Sequence, residues 1–328
     1  MKIFIIGSNS FMGSSLIDYC FKQYGNKYRI YGCSRNKQTN QYFNLYRKTK
    51  NNFKFFQVDL NKDIKKLIKI LKKIKPNFIF NFAAQSIVEY SWKKPEHWYN
   101  TNLVSNIKLL EYLKGVNYLK KYIHSSTPEV YGTTFKKINE NYNYFPSTPY
   151  ASSKASIDML LKNYYDNYSF PVVLTRASNI YGPGQKIYKI IPKTIISLIN
   201  NKKIPLHGGG VSRRSFIFCD DVSSALIKIM NNSKNGEIYH ITNEKMYSIK
   251  KIVMIIAKMM NKKFEDCVII EKDREGKDFI YDLSSKKLKK LRWNSKISIQ
   301  EGINKTREWI SLNYINLKKK KLKYIHQK

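Results

Sequence analysis

Lys2-Ile3-Phe4-Ile5-Ile6-Gly7-Ser8-Asn9-Ser10-Phe11-Met12-Gly13 opens the chain, and this stretch decides the fold. A short apolar run ends in a glycine turn, and a helical pattern over Ser14 to Tyr24 follows directly. Strand, glycine turn and helix N-terminus together form a diphosphate site, because backbone N–H groups converge there and the helix dipole favours negative charge. Gly7 allows the tight turn and Gly13 the close packing of helix on strand. Ser10 stands where a middle glycine usually lets the pyrophosphate approach, and Phe11 and Met12 complete the loop.

Outward from this loop, the first half repeats the same alternation. Ile3 to Ile6, Arg29 to Gly32, Phe53 to Val58, Phe78 to Phe82, Lys121 to Ser125 and Val172 to Arg176 read as buried strands. Ile64 to Ile74, Trp98 to Lys114 and Tyr150 to Tyr168 read as helices between them. The expected class is α/β, a Rossmann-like doubly wound parallel sheet with helices on both faces. After Tyr181-Gly182-Pro183 the pieces shorten, and Gly208-Gly209-Gly210 marks a loop. The expected division is a nucleotide-binding domain mainly over 1–178 and a smaller α/β substrate-binding portion mainly over 179–313, with some exchange of segments. Residues 314–328 read as a basic polar tail with no core to join.

Of 328 residues, 60 are basic and 23 acidic, a formal charge of +37. A nucleic-acid binder carries such a footprint. Lysines run from Lys2 to Lys328, however, and are dense only at Lys318–Lys321 and around Lys286–Lys290, as a general compositional bias of solvated lysines predicts. An affinity for phosphates is the narrower alternative. No run approaches the roughly 20 apolar residues of a membrane span, and no signal-peptide pattern precedes the first strand. Cys20, Cys33, Cys219 and Cys267 are widely spaced without a CxxC pair, so a reducing cytoplasm is the expected setting. His97, His124, His207, His240 and His326 show no metal-ligand spacing, and no metal is expected. His124 and Cys219 read as packing residues, Asp220-Asp221 as a helix start, and Trp92 as a pocket wall or a core residue.

Two constellations carry chemistry. Tyr150-Ala151-Ser152-Ser153-Lys154 sets a phenol and an ammonium four apart on one helix face. A lysine there, with a positive cofactor ring nearby, is expected to draw the Tyr150 pKa down from about 10. Tyr150 then takes the proton of a sugar hydroxyl as hydride leaves the same carbon. The second is Ser125-Ser126-Thr127-Pro128-Glu129-Val130-Tyr131-Gly132, at the carboxyl end of a predicted strand, where open α/β sheets hold ligands. At the end of the second strand, Ser34-Arg35 replaces the acid that NAD sites usually place on the ribose, so Arg35 favours the 2′-phosphate of NADP over NAD. Asp59, beside Leu60, is either an acceptor for the adenine amino group or a helix cap.

These residues resemble the extended short-chain dehydrogenases. The likeness runs through Gly7 to Gly13, Asn81-Phe82-Ala83-Ala84-Gln85-Ser86, Ser126 to Gly132, Tyr150-x-x-x-Lys154, Ser178 to Pro183, Arg214 to Asp221 and Asp273-Arg274-x-Gly276. It covers roughly residues 1–312. It is nearest to the dTDP-glucose 4,6-dehydratases, with GDP-mannose 4,6-dehydratases and UDP-sugar epimerases as cousins. The resemblance implies a tightly held, recycled NAD or NADP, a nucleotide-diphosphate sugar as substrate, and a homodimer. It assigns Thr127 to the sugar 4-hydroxyl, Tyr150 to the base, Lys154 to the cofactor ribose and Glu129 to the C5 proton. Ala83, Ala84, Gln85 and Asn102 fall along the cofactor; Ser86, Asn179, Arg214 and Arg274 face the substrate, with Arg213 able to assist. The dTDP-glucose enzymes carry Asp before the glutamate, as acid for the C6 hydroxyl. Here that position is Pro128, which has no ionisable group. A 4,6-dehydratase is the expected activity, a 4-epimerase is its rival, and a non-catalytic basic binder on the same scaffold is the alternative from another class.

Overall fold

A computed structural model describes residues 1–38, 42–48, 53–272, 279–324 and 326. The strands are β1 (Lys2–Ile6), β2 (Arg29–Ser34), β3 (Phe53–Gln57), β4 (Phe78–Asn81), β5 (Lys121–Ser125), β6 (Val172–Ala177), β7 (Asn179–Tyr181), β8 (Ile204–His207), β9 (Arg213–Phe218), β10 (Ile238–Ile241), β11 (Met246–Ser248) and β12 (Val268–Glu271). The helices are α1 (Phe11–Tyr24), α2 (Ile64–Ile74), α3 (Val88–Ser91), α4 (Pro95–Tyr99), α5 (Ser105–Leu113), α6 (Pro149–Tyr168), α7 (Ile190–Ile199), α8 (Cys219–Asn232), α9 (Ile249–Met259), α10 (Lys286–Lys290) and α11 (Ile299–Leu317).

Seven strands form one sheet in the order β10-β6-β5-β4-β1-β2-β3, parallel throughout. Successive residues of a strand face opposite sides, so an apolar run feeds two cores at once. Ile3 and Ile5 of β1 pack with Leu16 and Ile17 of α1 and Leu226 of α8. Phe4 and Ile6 pack on the other face with Leu67 and Leu71 of α2, Leu110 of α5 and Ile157 of α6. The edge strand β10 comes from beyond residue 178. A third core gathers Phe216 and Phe218 of β9 with Ile195 of α7, Ile252 of α9 and Ile303 and Ile310 of α11. This C-terminal portion carries the sheet β11-β9-β7 and the pair β12-β8.

Two local readings change. The helix expected over Trp98 to Lys114 is three pieces: α4, a π-helical turn over Asn100–Val104, and α5. Ser105 Oγ donates to Asn100 O at 2.9 Å and Asn106 Nδ2 to Thr101 O at 3.1 Å, so side chains stabilise the wider turn. The tail also differs from its reading. Leu317 is fully buried, Leu322 packs on the third core, and the Tyr324 ring meets those of Tyr90 and Tyr188. Three apolar or aromatic side chains placed among lysines suffice to dock a segment whose composition reads as polar. Among the described residues, no helix is long and apolar enough to cross a membrane.

Candidate active site

The strand order reverses between β1 and β4, and a cleft opens beyond the carboxyl ends of strands at such a reversal. A cavity of about 1210 Å³ lies there, between the β1–α1 loop and the C-terminal portion. Ser10, Phe11 and Met12 line one side. Gly7 has φ +85°, and a Cβ on it would stand 2.8 Å from Ala83 N; one on Gly13 would stand 2.3 Å from Gly7 O. Both glycines are thus required by close backbone approach, as a pyrophosphate-cradling turn demands. Ser10 caps α1, its Oγ accepting the Gly13 N–H at 3.0 Å. The Asn9 N–H donates to Ser34 Oγ at 2.9 Å, tying the loop to β2. These residues fit a dinucleotide: a helix N-terminus faces an open cleft next to the ends of β2 and β3. Ser34, Arg35, Asp59 and Leu60 sit at or just beyond those strand ends, outside the cavity lining. Asp59 does not cap α2, whose N-cap position is Asp63; its Oδ1 accepts from the Asn61 N–H at 2.9 Å.

Thr127, Glu129, Tyr150 and Lys154 all line the cavity, as do Ser86, Ala84, Asn179 and Arg214. Thr127 caps a 3-10 turn over Pro128–Tyr131, and its Oγ1 accepts from the Glu129 N–H at 3.3 Å. That turn points the loop's carboxylate towards the start of α6. Tyr150 is hydrogen-bonded to Thr127, and its phenol is pushed well above its usual range by burial, with the Glu129 charge adding to the rise. Lys154 is pulled down to about 8 by burial. Its Nζ donates to Ser125 O at 2.8 Å and contacts His124 Nε2 at 2.9 Å. The expected lowering of the Tyr150 pKa by Lys154 is therefore not present in the protein alone. Desolvation dominates at this depth, and the Lys154 ammonium is anchored to β5. His124 is fully buried, and burial and Lys154 hold it well below its usual pKa. A neutral His124 is what allows its ring nitrogen to accept from Lys154.

A buried ion pair stands behind this loop. Arg176 Nη2 meets Asp158 Oδ2 at 3.0 Å with both side chains fully enclosed, and Ser126 Oγ donates to the same oxygen at 2.5 Å. The Arg176 guanidinium also lies 4.5 Å from the Tyr131 ring centroid. Residues on either side of Thr127–Val130 are thereby pinned to β6 and α6.

On the far wall, Tyr281 OH donates to Asn179 Oδ1 at 2.6 Å, and the Arg214 guanidinium lies 4.6 Å from the Tyr281 ring centroid. Trp92 is 55% exposed and lines the cavity, so it is a wall and not core. Arg213 is exposed outside the lining, and Arg274 lies outside the described residues. Asn102 is buried; its Nδ2 donates to Gln85 O and Ser153 Oγ and its Oδ1 accepts from the Gln85 N–H, so it braces the Gln85 loop from outside the cavity. All four cysteines are buried free thiols, and burial raises Cys219 well above its usual pKa, which leaves it a packing residue. Asp220 and Asp221 do open α8. Among the described residues, no cluster of three or more His, Cys, Asp or Glu gathers.

Sequence reasoning missed Lys189 and Tyr281. Lys189 stands at the N-cap position of α7, lines the cavity and interacts electrostatically with Glu129. Its side chain is exposed at the cavity rim, and desolvation by the surrounding protein lowers its pKa while Glu129 opposes the fall. A lysine just before the apolar run Ile190–Ile199 is the signal available, and it is lost among so many other lysines.

A family model described as GDP-mannose 4,6 dehydratase matches residues 4–306. The human dTDP-D-glucose 4,6-dehydratase is 33% identical over 324 residues, covering 97% of this chain and 92% of its own. The crystal structure of dTDP-glucose 4,6-dehydratase from Bacillus anthracis, in complex with NAD, is 29% identical with a TM-score of 0.87, covering 98% of this chain and all of that one. A UDP-glucuronic acid 4-epimerase from Bacillus cereus, in complex with UDP-glucuronic acid and NAD, is 25% identical with a TM-score of 0.86, covering 96% of this chain and all of that one. The parallel sheet agrees with these structural likenesses, and the chain belongs to the GDP-mannose 4,6-dehydratase family of extended short-chain dehydrogenases.

Proposed function

We propose that this protein is a nucleotide-sugar 4,6-dehydratase, converting an NDP-hexose to its 4-keto-6-deoxy product with loss of water. The observation that carries the reading is the carboxylate of Glu129 in one cavity with Thr127 and Tyr150. A 4-epimerase needs the hydroxyl and the phenol but no base for C5, whereas elimination across C5 and C6 does.

A bound nicotinamide dinucleotide supplies hydride acceptance from C4 and its return at C6, and its positive ring favours the Tyr150 phenolate. Thr127 orients the 4-hydroxyl and Tyr150 takes its proton. The ketone thus made acidifies the C5–H, and Glu129 removes that proton. Lys154 holds the cofactor ribose. Asn179 and Arg214 hold the diphosphate, Ser86 belongs to the same substrate wall, and the family resemblance gives Arg274 a further contact to the same substrate. Guanidinium suits a phosphate bidentately. Gly7, Ser10, Phe11, Met12, Gly13, Ala83, Ala84 and Gln85 border the cofactor. Arg35 is the partner for a 2′-phosphate, so NADP is the preferred form although several structural relatives hold NAD. Homodimerisation and a reducing compartment complete the reading.

The test is incubation with dTDP-glucose, GDP-mannose, UDP-glucose and UDP-N-acetylglucosamine separately, read by mass spectrometry. One of them losing a single water, with the loss abolished by Glu129→Gln, is the expected result. An isomer of unchanged mass instead of water loss makes the protein an epimerase. Random-sequence DNA binding that persists at physiological salt favours the basic-binder alternative.

A further inference from the structure

We propose that Lys189 is the acid that protonates the departing C6 oxygen, in the role that Pro128 cannot fill. The inference rests on the dehydratase reading. C5–H and C6–O sit on adjacent carbons, so the acid must reach the same bond as the base, Glu129. The cavity holds few candidates. Tyr150 and Lys154 serve C4 and the cofactor. Tyr281 is engaged with Asn179, and Tyr181 OH donates to the Ser298 and Ile299 carbonyls at 3.4 Å. Arg214 never gives up its proton. Of the remaining lining groups, Glu89, Lys93, Lys189 and Lys272, Lys189 stands at the start of α7 in the same cavity lining as Glu129, and its ammonium interacts electrostatically with that carboxylate. Desolvation in the cleft also makes that ammonium a stronger acid than a solvated lysine.

The step balances within this pair. The C5–H bond breaks and its proton goes to Glu129; the freed electron pair forms the C5–C6 double bond. The C6–O bond breaks with its pair on oxygen, which takes a proton from Lys189 and leaves as water. When hydride returns to C6, Glu129 gives its proton back to C5, and the 4-hydroxyl proton held by Tyr150 passes through solvent to the Lys189 amine, restoring phenolate, carboxylate and ammonium.

The experiment uses the full-length enzyme with the substrate identified above and with its 6-deoxy-6-fluoro analogue, whose fluoride needs little protonation to leave. Lys189→Arg keeps the positive charge beside Glu129 but is too weak an acid to donate. Lys189→Met, tested alongside, removes the charge as well. For Lys189→Arg we expect water loss slowed about 100-fold, within the range for one acid–base group. Recovered substrate should still exchange C5–H for deuterium in heavy water, and fluoride loss should stay within a few-fold of wild type. Water loss by Lys189→Arg at the wild-type rate overturns the proposal, because charge alone then suffices. Equal slowing of water and fluoride loss in both variants also overturns it, since Lys189 then only positions. If the wild-type enzyme removes water from none of its substrates, the dehydratase reading fails first and takes this one with it.

Discussion

Lys154 is a charged group held where water cannot reach it, and its cost to stability has a calculable pH dependence. Its pKa is lowered from 10.5 to about 8 by burial. At about 1.4 kcal/mol per pKa unit, the gap of about 2.5 units corresponds to about 3 kcal/mol. The sign follows from proton counting. Between pH 8 and 10.5 the unfolded chain still holds the lysine proton while the folded chain has released it, so stability rises with pH. Below pH 8 both states are protonated and the folded protein carries the full penalty. Lys154→Met removes this titration. It also leaves Ser125 O and His124 Nε2 without their donor, a loss that does not vary with pH across the window because His124 stays neutral. Urea unfolding of both proteins without added nucleotide, at pH 7, 8, 9 and 10, isolates the Lys154 titration by subtraction. Wild type should gain up to about 3 kcal/mol on the variant across this range, nearly all of it above pH 8. A difference flat to within about 0.5 kcal/mol would refute the claim that burial dominates the Lys154 environment.

Arg176→Met should cost about 3–5 kcal/mol in denaturant unfolding, because Asp158 is left as an uncompensated buried charge. The double variant Arg176→Met, Asp158→Leu should recover part of that loss, and no recovery would contradict the pairing. Leu317→Ala should lower stability by about 2–5 kcal/mol in a thermal melt, since the side chain is fully buried against the third core. A polar, undocked tail would give no change. Arg35→Ala should weaken NADP binding by about 10-fold or more in calorimetric titration, the scale of a lost charged hydrogen bond, while leaving NAD affinity nearly unchanged. Equal weakening of both dinucleotides would remove Arg35 from the 2′-phosphate site.

Legibility followed from whether the physics was local. Ile3–Ile6 with Gly7 and Gly13 could be read because burial on both sheet faces demands a continuous apolar run and close backbone approach demands glycine. Thr127, Glu129 and Tyr150 could be read because they fall at a strand end and a helix start. The Tyr150–Lys154 pair was legible as a spacing but not as an electrostatic fact. Where Nζ goes depends on Ser125 and His124, some thirty residues upstream, and on the desolvation that tertiary packing imposes. The tail was missed for a related reason: Leu317, Leu322 and Tyr324 become apolar anchors only once α7, α11 and the Tyr90 and Tyr188 rings surround them. Lys189 is the sharpest case. No periodicity marks it, and its chemistry exists only because the C-terminal portion folds back to set an ammonium near a carboxylate sixty residues upstream. The departure at Pro128 states in the sequence that an acid is missing, and the fold supplies the candidate from another part of the chain. A motif lists the groups its own segment can bring; the cavity decides which others join them.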